Sequence, residues 1–209
     1  MLGNETTQRA NRRGVMTRFE YVAIFYGIVV AMAIETVLAS LHRLIAAGKR
    51  VRWHWMAPAT AVNASLVTLA QFWILWGDRD QWTGNFSFFQ FLPFGISLFF
   101  MFLSAAATLP DEVGAEGVDL KVFYFHNRKH YWGLVAAYFA YNILLNFISL
   151  ARSGPTDIWF HNLRWLVGDF VALGIAVPLI FFRAYWVHVI GIAMALAALL
   201  FFLNSIQLS

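Results

Sequence analysis

The sequence predicts an all-α integral membrane protein, a bundle of six transmembrane helices joined by short loops. Of its 209 residues, 60% are hydrophobic and only 12% are charged, whereas soluble domains have about a quarter charged residues. The mean hydropathy is +0.63. The chain also contains six apolar runs of about 20 residues, the length that crosses a hydrocarbon core of about 30 Å.

The first half of the chain predicts three of these helices. A polar, basic tail (residues 1–16) precedes a single transmembrane domain (residues 17–209), whose first helix is expected over 17–45. A basic turn with Trp53 and Trp55 leads to the second helix, over 56–76. The third, over 87–109, contains Pro93, which we expect to kink it, and ends before Pro110.

The second half of the chain predicts the other three helices. An acidic loop (111–120) and a stretch rich in aromatic and cationic residues (122–132) lead into a fourth helix over 131–150. The fifth and sixth helices are expected over 162–182 and 184–204, with Arg183 in the very short connection. Six crossings place both termini on one side of the membrane.

The predicted orientation in the membrane depends on how many Lys and Arg residues the loops carry on each side. On the side opposite the termini lie eight of them, against three in the loops on the terminal side. We expect a protein of the inner membrane, and this difference favours an orientation with the basic loops 46–55 and 110–131 in the cytoplasm. Counting the tail brings the two sides to eight and seven, so the preference depends on the connecting loops alone. We see no basic stripe typical of nucleic-acid binding.

Glu35 is the sharpest feature of the sequence, a carboxylate in the middle of the first helix. Gly27, Ala31, Glu35 and Ala39 recur every four residues and so share a helix face. Small residues let another helix approach closely, and a charge at the bilayer centre costs at least about 2.5 kcal/mol. We therefore expect Glu35 in a helix interface or cavity, as a proton- or ion-coupling acid or as a carboxyl group that joins helices.

Asp169, in the fifth helix, is the second intramembrane acid. It is expected either to line a cavity with Glu35 or to pair locally, for example with Arg164. Polar side chains on neighbouring helices predict a solute route or simple interhelical hydrogen bonds; the transport candidates among them are Asn63, Gln71, Asn142 and Asn146.

The histidines suggest a second kind of site. His126 and His130 are spaced i, i+4, which suits joint metal ligation on a helix. His42 and His188 lie on different helices near the same face, as two axial ligands of a haem would. The other interpretation is that interfaces favour amphipathic rings. No cofactor is predicted outright, and the chain has no cysteine, which excludes thiolate metal sites.

Three functions remain open on the sequence. The first is a transporter or channel for a small solute or ion, with Glu35 and Asp169 as its acids. The second is a haem or metal redox protein that uses the four histidines. The third is a non-catalytic subunit or scaffold. The expected partners are the lipid bilayer, further copies of the chain in a homo-oligomer, and a small solute or ion; nucleic acid is not expected, nor is a familiar catalytic motif present.

Overall fold

The described part of the chain folds into an all-α bundle of six α-helices, as predicted. A computed structural model describes residues 18–77, 88–153 and 157–205. The helices are α1 (Arg18–Ala47), α2 (Met56–Gly77), α3 (Phe88–Ala106), α4 (Leu120–Ser153), α5 (Asp157–Phe181) and α6 (Tyr185–Ser205). The predicted basic tail, residues 1–16, lies outside the described residues.

Four of the helices, α1, α2, α4 and α6, are long and apolar enough to cross a membrane. Helices α3 and α5 contain shorter apolar stretches, Phe91–Ala106 and Trp165–Phe181. The four spanning helices identify a multi-pass membrane protein. We call the end of the bundle with the α1–α2, α3–α4 and α5–α6 connections the loop-side end.

The helices pack in a defined order of neighbours. Helix α1 packs against α2 and α3, and α4 packs against α3 and most extensively against α5. Helix α6 joins the two halves by packing against both α2 and α5. In the part of the chain that the structure describes, α1 and α5 are not substantial neighbours. The two helices that carry the intramembrane acids are thus held apart.

Helix α4 begins at Leu120, well before the predicted start near residue 131. Asp119 caps it, because its Oδ1 accepts hydrogen bonds from the backbone N–H groups of Lys121 at 2.9 Å and Val122 at 3.1 Å. The helix has 34 residues, a length of about 51 Å at 1.5 Å per residue. This length exceeds the hydrocarbon core of about 30 Å.

A two-stranded parallel sheet ties the α1–α2 connection to the start of α4. Its strands are β1 (Val51–Arg52) and β2 (Val118–Asp119), with Val51 opposite Val118 and Arg52 opposite Asp119. The sequence predicted only a turn and a loop here. Gly117, just before β2, has a φ of +83°, and a Cβ at this position would overlap the carbonyl oxygen of Arg50. Glycine is thus required where the two segments meet.

The largest apolar core lies at the loop-side end. It draws buried side chains from all six helices, among them Leu44, Met56, Leu120, Trp132, Leu179 and Ile192. Helices α5 and α6 approach closely here, since a Cβ on Gly191 would lie 2.6 Å from Cδ2 of Leu179. The loop-side end is therefore the part of the bundle in which tertiary packing fixes side-chain positions most firmly.

Candidate functional site

Arg128 is a buried cation at the loop-side end. Its side chain is only 5% exposed, although it lies on the third turn of α4. One guanidinium nitrogen, Nη1, donates to the carbonyl oxygen of Phe125 at 2.7 Å, while Nε has no hydrogen-bond partner. Within residues 18–77, 88–153 and 157–205, no carboxylate forms an ion pair with it. A buried charge left without compensation typically costs about 3–5 kcal/mol.

A small pocket opens beside Arg128. Its enclosed space holds about one water molecule. Its lining includes Thr60, Thr108, Tyr124, Asn127, Arg128 and Tyr131, but the hydroxyls of the two threonines already donate to backbone carbonyls and the surface open to the pocket is apolar. The amide of Asn127 is held by a 2.6 Å bond from Nδ2 to the carbonyl oxygen of Ala107. The pocket is thus formed where α2, the end of α3 and the start of α4 meet.

The surroundings of Arg128 add positive rather than negative charge. Arg183, in the α5–α6 connection, is close enough to repel its guanidinium group. The described part of the site therefore carries two neighbouring cations and no carboxylate.

A hydrogen-bonded chain links Trp132, Tyr124 and His188 next to this pocket. Trp132 Nε1 donates to the Tyr124 hydroxyl at 3.0 Å, and this hydroxyl lies 2.8 Å from His188 Nδ1. His188 Nε2 lies 3.0 Å from the carbonyl oxygen of Phe182. These partners assign a neutral imidazole with its proton on Nε2, so that the Tyr124 hydroxyl donates to Nδ1. Each polar side-chain atom of this hydrogen-bonded network then has a partner.

The structure does not bring the four candidate histidines together. His188 is fully buried, whereas His42, His126 and His130 are exposed. His126 and His130 do lie one turn apart on helical backbone, as their spacing predicted. Both nitrogens of His188 are already engaged, and within the described residues no three His, Cys, Asp or Glu side chains form a metal-binding group. This geometry gives no support to the haem or metal hypothesis.

Asp169 is the central residue of α5 and bonds to α4. Its Oδ2 accepts a hydrogen bond from Asn146 Nδ2 at 2.9 Å. The described residues include no ion-pair partner for it. The side chain of Arg164, the local partner considered from the sequence, lies outside the described side chains. Asp169 thus occupies the α4–α5 interface together with one of the predicted polar residues.

The other predicted transport residues are distributed over two helix interfaces. Asn142 Oδ1 accepts a 3.5 Å bond from Ser97 Oγ, which joins α4 to α3. Asn63 on α2 is buried, and its Oδ1 has no hydrogen-bond partner. Gln71, two turns further along α2, is half-buried. These side chains line interhelical contacts, but they do not form a group around one solute-sized cavity.

Several buried hydroxyls are satisfied within their own helices. Thr60, Thr68 and Ser104 each donate to a backbone carbonyl three or four residues earlier, at 2.7–2.8 Å. Such bonds remove the need for a partner on another helix or on a solute. The hydroxyl stripes are therefore weaker support for a solute route than Asn63, whose carbonyl oxygen is unpaired.

Glu35 lies on an exposed face of α1, not in a cavity within the chain. Ala31 and Glu35 are exposed, and Gly27 and Ala39 are half-buried. Thr36, its neighbour, bonds to the carbonyl oxygen of Met32 on the same helix. The expectation that Glu35 would be enclosed is thus not met within one copy of the chain. It also does not meet Asp169, because α1 and α5 are separated.

A four-residue periodicity in the sequence marks the buried face of α4 at the loop-side end. Leu120, Tyr124, Arg128 and Trp132 recur every four residues and therefore share one face of α4. All four are buried. A cation that repeats in register with apolar and aromatic residues is expected to point inwards, but the richness of this segment in Lys, Arg and His favoured an interfacial interpretation.

Comparison with known proteins adds no assignment. No protein-family profile, no curated protein sequence and no solved structure matches this chain.

Proposed function

We propose that this multi-pass protein of the inner membrane moves a small solute or ion, with Asp169 as its coupling acid. The observation that carries the proposal is the position of Asp169 at the centre of α5, bonded to Asn146 and without a cationic partner among the described residues. Intramembrane acids are costly and are typical of ion pathways and proton relays.

The bond to Asn146 suits a carboxyl group that changes its protonation state. The amide Nδ2 of Asn146 stabilises the carboxylate, while the carbonyl oxygen of the same amide can accept a bond from a protonated carboxyl after rotation. Asn142, one turn earlier on α4, and Ser97 on α3 extend the polar contacts towards the loop-side end. In this proposal a proton or cation reaches Asp169 along the α3–α4–α5 contacts.

Flux through liposomes tests the proposal. Purified protein is reconstituted with the pH dye pyranine inside, and gradients of K⁺, Na⁺ and chloride are imposed in turn. We expect dye-reported proton movement with wild-type protein and movement at the level of empty liposomes with Asp169→Asn. Asn127→Ala, which changes an amide at the loop-side end, is the control and should retain movement. Wild-type protein that moves protons under none of these gradients would contradict ion-coupled transport.

The exposed position of Glu35 favours a second candidate, a subunit that assembles through α1. A carboxyl group on the lipid-facing middle of a 30-residue helix is costly unless another protein surface covers it. The adjacent small residues, Ala31 and Gly27, would let a second helix approach. In this candidate function the chain is a homo-oligomer or a scaffold, and Glu35 stabilises the contact between copies.

The mass of the protein in nanodiscs tests this second candidate. We expect an oligomer for wild-type protein and a monomer for Ala31→Leu, which fills the small-residue face. Met32→Leu, at an exposed position beside that face, should leave the mass unchanged. A monomeric wild-type protein would remove the assembly role.

A further inference from the structure

We propose that the contact between Tyr124 and His188 is an acid-sensitive switch, in which a proton taken up by His188 separates α6 from α4 at the loop-side end. His188 is fully buried, and both of its ring nitrogens are engaged. Nδ1 accepts a hydrogen bond from the Tyr124 hydroxyl at 2.8 Å, and Nε2 donates to the carbonyl oxygen of Phe182 at 3.0 Å. The closed contact therefore holds a neutral imidazole.

A proton on Nδ1 of His188 breaks the bond to α4. It converts Nδ1 from an acceptor into a donor. The Tyr124 hydroxyl then faces two donors, because it already accepts a bond from Trp132 Nε1 at 3.0 Å. Its own proton loses its acceptor inside the bundle, which is unfavourable for a buried donor. The bond from Nε2 to the carbonyl oxygen of Phe182 can remain, so the loss falls on the α4 side of the imidazole.

The cations next to His188 act in the same direction. Arg128 on α4 is buried and close enough to act electrostatically on the imidazole. Arg183, in the α5–α6 connection, is in turn close enough to act on Arg128. Among the described residues, no carboxylate forms an ion pair with these three side chains. An imidazolium would thus be a third positive charge in this part of the bundle.

The other helices packed against α6 supply no compensating group. Helix α2 has no titratable side chain. The last titratable residue of α5 is Asp169, about 18 Å before the end of the helix at 1.5 Å per residue. On α6 itself Tyr185 is exposed, and its ring contacts His54 and Lys121 at the surface. The groups that face the buried imidazole are therefore the tyrosine hydroxyl and the arginines of the loop-side end.

The contact is expected to be stable at neutral pH and to weaken in acid. Once α6 separates from α4, the imidazole of His188 meets water and takes up a proton at about pH 6.5, as an ordinary histidine does. The closed contact has no place for this proton on Nδ1. The equilibrium therefore shifts towards the separated state by about a factor of ten for each pH unit below about 6.5.

Labelling of a single cysteine measures this separation. Ile192→Cys places a thiol one turn after His188, in the buried loop-side core of a chain that has no other cysteine. Its rate of reaction with a small maleimide in detergent is divided by the rate of the exposed Glu112→Cys thiol, which corrects for the pH dependence of thiol chemistry. We expect the corrected rate to rise about tenfold from about pH 7.5 to about pH 5.5.

Variants in the Ile192→Cys chain decide whether His188 is the sensor. His188→Gln cannot titrate and should remove the rise, whereas His126→Gln removes an exposed histidine of α4 and should keep it. If His188→Gln does not fold, Tyr124→Phe replaces it and should give a smaller rise, because protonation then breaks no bond. A rise that persists in full in the variant used, or a parent protein that reacts no faster in acid, would overturn the proposal. No flux is measured, so the outcome is independent of the transport proposal.

Discussion

The hydroxyl of Tyr124 and Nδ1 of His188 lie 2.8 Å apart and join α4 to α6 at the loop-side end of the bundle. These residues are 64 positions apart in the chain, so only the tertiary fold brings them together. The bond closes a chain that runs from Trp132 to the carbonyl oxygen of Phe182. It thereby links the first turns of α4 to the short α5–α6 connection, next to Arg128 and Arg183.

Tyr124→Phe should lower stability by about 1–3 kcal/mol, because it leaves the buried Trp132 Nε1–H and His188 Nδ1 without their shared partner. Thermal unfolding in detergent, followed by tryptophan fluorescence, measures the change. Tyr185→Phe removes an exposed hydroxyl that accepts a 3.3 Å bond from Trp55, and we expect it to change stability by less than about 0.5 kcal/mol. Equal losses of stability in the two variants would show that the buried network contributes no more to stability than the exposed hydrogen bond does.

Gly117→Ala should destabilise the loop-side end. The residue has a φ of +83°, and the added Cβ would overlap the carbonyl oxygen of Arg50. Since both the backbone conformation and the contact are unfavourable for alanine, we expect the free energy of unfolding to fall by about 1–3 kcal/mol. Gly114→Ala, in the same loop with nothing within 4 Å of its added Cβ, is the control. A Gly117→Ala protein as stable as this control would contradict the close approach of β1 and β2.

We expect the folded protein to lose stability in acid because of Asp119. The backbone N–H of Val122, then that of Lys121, and the Arg52 guanidinium hold the pKa of this carboxyl below its ordinary value of 3.8. Because the folded-state pKa is the lower one, the stabilisation is present above pH 3.8 and is lost as the pH falls from there through the folded-state pKa.

Unfolding at several pH values checks this sign. Wild-type protein should have a higher Tm than Asp119→Asn at pH 7, and the difference should shrink progressively as the pH falls below 3.8. Glu112→Gln, at an exposed position in the same connection, is the matched control for loss of a carboxylate and is melted at the same pH values. A difference between wild type and Asp119→Asn that grew in acid would refute the assignment of a lowered pKa.

Asn146 and Asp169 should be energetically coupled, because their 2.9 Å hydrogen bond joins α4 to α5. We expect Asp169→Leu and Asn146→Leu each to destabilise the fold, and the double variant to lose less than the sum by about 0.5–3 kcal/mol. The free energies of unfolding of the wild type, the two single variants and the double variant, measured in one detergent, form a double-mutant cycle. Strict additivity would mean that the two side chains do not interact in the folded protein.

The orientation predicted from the sequence, with the basic loops in the cytoplasm, can be tested by labelling single cysteines, because the chain has no cysteine of its own. Glu112→Cys, in the α3–α4 connection, and Arg152→Cys, at the far end of α4, place single thiols at exposed positions on opposite sides. We expect an impermeant maleimide to label Arg152→Cys in intact cells, and Glu112→Cys only after lysis. The reverse pattern would place the basic loops outside the cytoplasm.

The membrane class and the number of helices follow from the sequence because hydropathy is a local property. Each apolar run must satisfy its own backbone hydrogen bonds in lipid, and a helix does so without help from the rest of the chain. Helix ends were less predictable where capping decides them. The start of α4 depends on Asp119, a residue that the sequence placed in an acidic loop, and its cationic first turns resembled an interface more than a helix core.

The sequence alone thus determined that this is a six-helix membrane bundle and which residues share a face on each helix. Periodicity does not say which face meets a neighbour, and so only the tertiary structure decided that Arg128 points inwards and that Glu35 lies on an exposed surface. The physical reason is that burial depends on the packing partners of a helix. Helix α4 packs its Arg128 face against the loop-side core, while α1, among the described residues, packs mainly against α2 and α3, and the Glu35 face is left exposed.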